Sequence, residues 1–219
     1  MVVKVIIFDF DGTIADTLST IVSITNRLAR EFNYRPISPD DLVELKNLNS
    51  RQIIHQSGIS TFKLPFVMRK IKAELNREIQ FLKPISGIQA TLTELKLQDI
   101  RLGIVTSNSK KNVMSFLKSN NLWDLFDFVY SSLTLFGKDK VITRILRAEQ
   151  LLLTEVVYVG DETRDIEAAK KINIKVIAVG WGFNSKEVLA NQNPDFLIHH
   201  PNQLIDTIKY LQLLEGIRG

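Results

Sequence analysis

Nearly continuous runs of apolar residues alternate along this chain with segments in which apolar residues recur every three or four positions. The first run, residues 2–8, contains only Val, Ile and Phe apart from Lys4, a pattern typical of a strand buried on both faces of a parallel sheet. Similar runs predict strands at 101–106, 128–131, 156–160, 175–179 and 195–198. Because helical periodicity separates these runs, the sequence predicts an α/β fold with a doubly wound parallel sheet.

Residues 16–82 form a long segment that lacks the period-two alternation of a strand. Their apolar residues instead predict a long helix over 18–32, short helices at 40–45 and 50–56, and another helix from Pro65 to Ile79. The Pro-Ile-Ser-Gly stretch at 84–87 ends this pattern before strands and helices resume. We therefore expect a helical cap of residues 16–83, inserted into an α/β core of residues 1–15 and 84–219.

The composition is that of an ordinary globular protein, with 45% hydrophobic and 24% charged residues among 219. The net charge of +4 is spread along the chain, which weakly favours small anionic ligands and gives no indication of nucleic-acid binding. The absence of cysteine excludes disulfides, zinc–thiolate sites and thiol catalysis. No segment resembles a transmembrane helix or a secretory signal, so we expect a cytoplasmic protein without a membrane partner.

The first predicted strand ends in two carboxylates, Asp9 and Asp11, followed by Gly12. Side chains two positions apart on extended backbone point the same way, so these carboxylates can converge on one point. Two convergent carboxylates repel each other unless a cation or a shared proton separates them. A divalent metal ion at this strand end is the simplest resolution.

Other polar side chains follow later strands or precede the next helix. They are Thr106, Ser107 and Asn108, then Lys138, then Asp161 and Asp165. Because the carboxyl ends of parallel strands share one edge of the sheet, these residues are expected to meet. Carboxylates suit Mg²⁺, whereas hydroxyls, backbone amides and a lysine suit phosphate oxygens. The combination predicts a site that handles phosphate.

Some of these residues have structural alternatives. Thr106 and Ser107 could cap the helix predicted after them, and Asp165 could complement a helix N-terminus. Lys138 and Lys140 are competing candidates for the lysine of the site, since both lie at the start of one predicted helix. Asp139 is the predicted N-cap of that helix. Glu162 is a further carboxylate close to the expected ligands.

In chain order, four motifs resemble those of the haloacid dehalogenase superfamily. They are Asp9-Phe-Asp11-Gly12-Thr13, the hydroxyl of Thr106, Lys138, and Gly160-Asp161 followed by Asp165. The helical insert after the first motif resembles the phosphoglycolate phosphatase-like group with an α-helical cap. The resemblance covers the whole chain.

The resemblance implies a role for each motif. Asp9 would be the nucleophile that forms an aspartyl-phosphate, and Asp11 would be the general acid and base. Mg²⁺ would be held by the Asp9 carboxylate, the backbone carbonyl of Asp11 and Asp161, with Asp165 supporting this metal site. The remaining polar residues would bind phosphate oxygens; they are Thr106, Ser107, Asn108 and Lys138.

We therefore expect a magnesium-dependent phosphatase acting on a small phosphorylated metabolite of the phosphoglycolate or sugar-phosphate type, as a monomer or small homo-oligomer. A phosphomutase of the β-phosphoglucomutase type and a catalytically silent binding relative are the alternatives. The basic residues of the cap segment 63–83 are expected to be mostly a solvated helix face. One of them, or Lys46 or Arg51, could contact an anionic leaving group.

Overall fold

The structure is a computed structural model that describes residues 2–60, 62–131 and 137–216. A single six-stranded parallel sheet organises it, with the order β3-β2-β1-β4-β5-β6. The strands are β1 (Val5–Phe8), β2 (Arg101–Thr106), β3 (Phe128–Ser131), β4 (Val156–Gly160), β5 (Lys175–Val179) and β6 (Phe196–Ile198). The predicted doubly wound parallel sheet is confirmed.

The first strand lies at the centre of the sheet, as its apolar sequence requires. Val5 pairs with Arg101 on one side and with Val156 on the other, and every residue of β1 is buried. Alternate side chains enter different cores, because Ile6 belongs to one buried cluster and Ile7 to the other. A strand with no exposed face positions the residues that follow it rigidly.

Helices cover both faces of the sheet and fill the segment between β1 and β2. They are α1 (Leu18–Phe32), α2 (Pro39–Leu45), α3 (Ser50–Gln56), α4 (Leu64–Glu78), α5 (Ile88–Leu97), α6 (Lys110–Ser119), α7 (Lys138–Ala148), α8 (Thr163–Lys171), α9 (Lys186–Asn191) and α10 (Gln203–Gly216). Short 3₁₀ helices occupy 79–81, 123–125 and 153–155. No α-helix within the described ranges is long and apolar enough to cross a bilayer.

Helices α1 to α4 form the insert, and the two segments that join it to the sheet lie side by side. The amide of Asp16 donates to the carbonyl of Lys83 at 3.1 Å, and the amide of Ile85 donates to the carbonyl of Ile14 at 2.8 Å. The chain thus leaves and re-enters the core through one paired crossing. The expected cap boundaries at 15/16 and 83/84 fall at this crossing.

The start of α7 differs from the prediction. Asp139 was predicted as the N-cap, but Gly137 occupies that position with φ of +93°, a left-handed conformation that glycine adopts without strain. The helix consequently begins at Lys138, and the Asp139 carboxylate instead pairs with Lys171 on α8 at 2.6 Å. This earlier start turns Lys138 inward.

Candidate active site

The polar residues predicted at the strand ends converge at the carboxyl edge of the sheet. Asp9 follows β1, Thr106 ends β2 and Asp161 follows β4, and these strands are neighbours with β1 in the middle. All three side chains are buried. Adjacent parallel strands thus bring together residues that are far apart in sequence.

Asp9 is only 1% exposed, and its two oxygens have different surroundings. Oδ1 accepts a hydrogen bond from the amide of Phe10 at 2.8 Å. Oδ2 lies 2.7 Å from Nζ of Lys138, but this ion pair lacks hydrogen-bond angles, so Oδ2 accepts no hydrogen bond from the described residues. Because it accepts no hydrogen bond there, Oδ2 retains lone pairs that can bind a cation or attack an electrophile.

Asp11 is held by Asn108. Nδ2 of Asn108 donates to both carboxylate oxygens of Asp11 at 3.0 Å. Burial, reinforced by the nearby charge of Asp9, raises the pKa of Asp11 to about 7, although the Asn108 contact partly opposes this rise. A carboxyl group with a pKa near neutrality can both donate and accept a proton under ordinary conditions.

The turn after β1 locks the first motif onto β4. Gly12 has φ of +76°, and a Cβ atom there would lie 2.4 Å from Oδ2 of Asp161, so only glycine fits. The amide of Gly12 donates to the carbonyl of Ala15 at 2.9 Å, which closes the turn. The hydroxyl of Thr13 then donates to Oδ1 of Asp161 at 2.7 Å. The turn therefore fixes Asp9 and Asp161 relative to each other.

Asp9, Asp161 and Asp165 form a buried cluster in which one oxygen from each lies within 4.8 Å of the others. Burial, together with the charges of Glu162 and Asp9, raises the pKa of Asp161 well above its usual value. Burial also raises the pKa of Asp165, to about 6, although Lys138 opposes the rise. Burial is the main cause of both shifts, and the charge of Asp9 adds to each of them.

The donor set fits a hard divalent cation such as Mg²⁺, which binds carboxylate oxygens. Five carboxyl groups gather at the site and outnumber the cations that interact with them among the described residues, which are Lys138, Arg164 and Lys72. The carboxyl groups are those of Asp9, Asp11, Asp161, Glu162 and Asp165. Asp9, Asp161 and Asp165 are placed to hold the ion. The Asp11 carboxylate lies outside this cluster, so the expected contribution of Asp11 through its backbone carbonyl stays a prediction.

Lys138 reaches the site, whereas Lys140 is exposed. The ammonium group of Lys138 is an ion-pair partner of both Asp9 and Asp165, and it lies 5.7 Å from the ring centre of Tyr158. Burial alone would lower the pKa of Lys138, but Asp165 and Asp9 raise it above its ordinary value. The lysine is therefore a fixed positive charge beside the predicted nucleophile.

Thr106, Ser107 and Asn108 are buried at the end of β2, but they do not cap the following helix. Ser109 caps α6, since its hydroxyl accepts a hydrogen bond from the amide of Asn112. The amide of Asn108 donates to Oγ1 of Thr106 at 2.9 Å, and its side-chain amide is committed to Asp11. The contacts of Asn108 thus favour a role in orienting the Asp11 carboxylate, which the sequence did not indicate.

Two buried asparagines connect the site to the insert and were not predicted. Nδ2 of Asn112 donates to the carbonyl of Lys72 on α4 at 3.0 Å and to Oδ1 of Asn108 at 2.9 Å. Oδ1 of Asn112 accepts a hydrogen bond from Asn76 at 2.7 Å. A polar residue among the apolar positions 113, 116 and 117 of α6 was the available signal in the sequence.

Asn184 makes the second connection, at the other side of the insert. Its Nδ2 donates to the carbonyls of Lys46 at 3.1 Å and Leu48 at 2.8 Å, while its Oδ1 accepts from the amide of Thr163 at 2.9 Å. No periodicity marks this residue, because its partners lie more than 130 positions away in the insert.

A largely buried ion pair of the core also contacts the insert. Arg164 pairs with Glu162, and the two side chains are 11% and 14% exposed. The hydroxyl of Ser50, on α3 of the insert, donates to Oε2 of Glu162 at 3.0 Å. Arg164 stands between Asp161 and Asp165 in the fourth motif, but the sequence did not indicate that it faces the site.

Comparisons with known proteins agree with this geometry. The family model described as haloacid dehalogenase-like hydrolase matches residues 6–179. A phosphoglycolate phosphatase of Synechococcus elongatus is 34% identical over 208 residues, covering 95% of this chain and 98% of the relative. One of Aquifex aeolicus is 27% identical, with coverages of 92% and 95%.

Solved structures share the fold. A structure described as a predicted phosphatase from Clostridium acetobutylicum superposes with a TM-score of 0.84 at 21% identity, covering 96% of this chain and all of the other. CbbY from Rhodobacter sphaeroides, solved in complex with phosphate, gives 0.71 at 18% identity, with coverages of 90% and 93%.

The chain therefore belongs to the haloacid dehalogenase-like hydrolase family. Within that family it is a phosphatase, a hydrolase of phosphoric monoesters.

Proposed function

We propose that this phosphatase is magnesium-dependent and hydrolyses a small phosphorylated metabolite through an aspartyl-phosphate on Asp9. The observation that carries the proposal is Oδ2 of Asp9, a buried carboxylate oxygen that accepts no hydrogen bond within the described residues and lies beside Lys138. The named activity of the Synechococcus relative, phosphoglycolate phosphatase, supports a small phosphorylated acid or sugar as substrate.

The first chemical step belongs to Asp9 and Asp11. A carboxylate oxygen of Asp9 bonds to phosphorus while the bond between phosphorus and the ester oxygen breaks. Asp11 gives its proton to that departing oxygen, so the alcohol leaves uncharged. Asn108 keeps the Asp11 carboxyl oriented for this transfer through its two contacts at 3.0 Å.

The second step returns the enzyme to its starting state. Asp11, now a carboxylate, removes a proton from water as the water oxygen attacks phosphorus. The bond between phosphorus and Asp9 breaks, which releases inorganic phosphate and restores both carboxyl groups. Lys138, with Thr106 and Ser107, binds the phosphate oxygens on which charge accumulates.

Asp9, Asp161 and Asp165 would hold Mg²⁺, since their oxygens form one cluster. The bound ion supplies positive charge that offsets repulsion between the Asp9 carboxylate and the phosphate dianion. Asp165 also accepts hydrogen bonds from Lys138 and from the amide of Glu162. It thereby positions Lys138 as well as adding charge.

The insert of residues 16–83 serves as the cap over this site. Its contacts with Asn112, Asn184 and Glu162 surround the carboxyl edge of the sheet. A cap in this position excludes bulk water and contacts whichever part of the substrate extends beyond the phosphate.

Replacing the nucleophile tests the proposal. Asp9→Asn should lower kcat for phosphate release from phosphoglycolate at least about a thousandfold, because an amide cannot form the covalent intermediate. Asp16→Asn is the control, since Asp16 is an exposed carboxylate in the same segment, and it should retain activity. Appreciable turnover by Asp9→Asn would overturn the assignment, and isomerised sugar phosphate without free phosphate would indicate a mutase.

A further inference from the structure

Lys72 of α4 stands out among the charged residues of the cap because it faces the active site. Asn76 lies four positions later, on the same face of the helix, and its side chain contacts the buried Asn112. The carbonyl of Lys72 itself accepts a hydrogen bond from Asn112 at 3.0 Å. Asn112 contacts Asn108, which binds Asp11. Lys72 is thus anchored two residues away from the predicted acid and base.

The Lys72 side chain is half-buried, and the part of the chain that the structure describes gives it no ion-pair partner. Within residues 2–60, 62–131 and 137–216, no carboxylate oxygen lies within 4.0 Å of its ammonium group. Lys70, two positions earlier on α4, instead pairs with Glu31 on α1 at 3.4 Å. A half-buried ammonium group loses part of its hydration, and an anion bound beside it offsets the free-energy cost of that loss.

A second cation faces the same space from the core. Arg164 is 11% exposed and is held by Glu162, which in turn binds Ser50 of the cap. Burial lowers the pKa of Lys72; the positive charge of Arg164 adds to this effect, and the negative charge of Asp11 opposes it. Lys72 is therefore close enough to sense both Asp11 and Arg164, so the three groups border one region.

That region lies on the leaving-group side of the phosphate. Asp11 must reach the departing ester oxygen to protonate it, whereas Lys138 lies beside Asp9 on the phosphate side. A group attached close to the ester oxygen therefore enters the space between Lys72 and Arg164. Glu162 neutralises Arg164, whereas no carboxylate of the described residues lies at ion-pair distance from Lys72, so the Lys72 charge favours a negative group there over a neutral one.

We infer that Lys72 binds a second anionic group of the substrate, so that the enzyme prefers a short phosphorylated acid to a neutral sugar phosphate or alkyl phosphate. The inference rests on the proposed function, because it assigns the leaving-group side of the same site. Arg164 forms the opposite wall and is fixed by Glu162, while Lys72 is carried by the cap. Closure of the cap thus couples recognition of the anion to enclosure of the phosphate.

Two substrates of equal length differ only in the second anionic group, so a comparison of them isolates the effect of that group. They are 2-phosphoglycolate and 2-hydroxyethyl phosphate, in which a hydroxymethyl group replaces the carboxylate. The wild-type enzyme should prefer 2-phosphoglycolate. In Lys72→Met, the ratio of kcat/KM for the two substrates should fall about tenfold or more, mainly through KM for 2-phosphoglycolate. Lys72→Arg should restore most of the ratio, because it restores the charge.

Lys70→Met is the matched control, since it removes a lysine from the same helix outside the site, and its ratio should equal that of the wild type. Thermal unfolding of each variant reports whether the fold is intact. A wild-type enzyme that prefers the neutral substrate, or a Lys72→Met variant with the wild-type ratio, would overturn the inference. Failure of the wild-type enzyme to release phosphate from these substrates and from an aryl phosphate would instead overturn the proposed function.

Discussion

At the scale of single residues, the charge balance of the active site depends on Lys138. Its ammonium group is buried between Asp9 and Asp165, so removing it leaves two buried carboxylates facing each other. Its neighbour Lys140 is exposed and has no such role. The two lysines therefore offer a direct comparison between a buried and a solvated charge.

Lys138→Met should lower the free energy of unfolding by about 3 to 5 kcal/mol, the cost of breaking a buried ion pair by deleting one partner. Phosphate release should fall with it, since the charge that binds phosphate oxygens is lost. Lys140→Met should change neither quantity measurably. Urea unfolding and phosphate release of both variants measure the effect, and equal behaviour of the two variants would contradict the role of Lys138.

The sequence predicted which residue types gather at the sheet edge, because Asp9 and Asp11 end an apolar strand and further polar residues follow the later strands of a parallel sheet. It could not decide between Lys138 and Lys140. That choice depends on the left-handed conformation of Gly137, which starts α7 one residue before the predicted cap. Residues at a helix start change direction by about 100° per position, so the move of the N-cap from Asp139 to Gly137 decides which lysine points inward.

At the scale of elements, α7 and α8 carry Lys138 and Asp165 and are joined at their surface. The Asp139 carboxylate on α7 lies 2.6 Å from Nζ of Lys171 on α8. The hydrogen bond from Lys171, together with its positive charge, lowers the pKa of Asp139 below its usual value despite partial burial. The pair therefore stabilises the folded state only while Asp139 is ionised.

Asp139→Asn should lower the free energy of unfolding at pH 7 by less than about 1 kcal/mol, because its partner Lys171 is well exposed to solvent. Since the folded-state pKa is the lower one, this contribution is fully present above the unfolded-state value of about 4 and is lost as pH falls through the folded-state value. Urea unfolding at pH 7 and pH 3 measures it. Asp124→Asn, at an exposed position, is the control. If the difference in unfolding free energy between the wild type and Asp139→Asn grows on acidification, the assignment is contradicted.

Apolar periodicity was sufficient to locate the helices and strands, but not the contacts between elements. Asn112 and Asn184 bind backbone carbonyls of the cap, and backbone carbonyls carry no sequence signal. Arg164 was visible in the fourth motif, yet its direction depends on Glu162 and on the start of α8. These polar contacts between distant elements arise from the three-dimensional packing and became evident only in the structure.

At the scale of the whole molecule, the sheet and the insert have separate tasks. The sheet brings Asp9, Thr106 and Asp161 to one edge through its strand order. The alternation of strands and helices predicted the parallel sheet but not that order. Helix α4 of the insert carries Lys72, whose contact with Asn112 the sequence could not specify. We therefore propose that the core carries out the reaction and that the cap selects among substrates.

Release of phosphate from 2-phosphoglycolate, measured as Mg²⁺ is varied, tests the proposed reaction most directly. The excess of buried carboxyl groups around Asp9 predicts that release rises to saturation with Mg²⁺, falls to background in EDTA and returns when Mg²⁺ is restored. Undiminished release after complete chelation of divalent metal, or no release at any Mg²⁺ concentration, would contradict a magnesium-dependent phosphatase built on Asp9, Asp161 and Asp165.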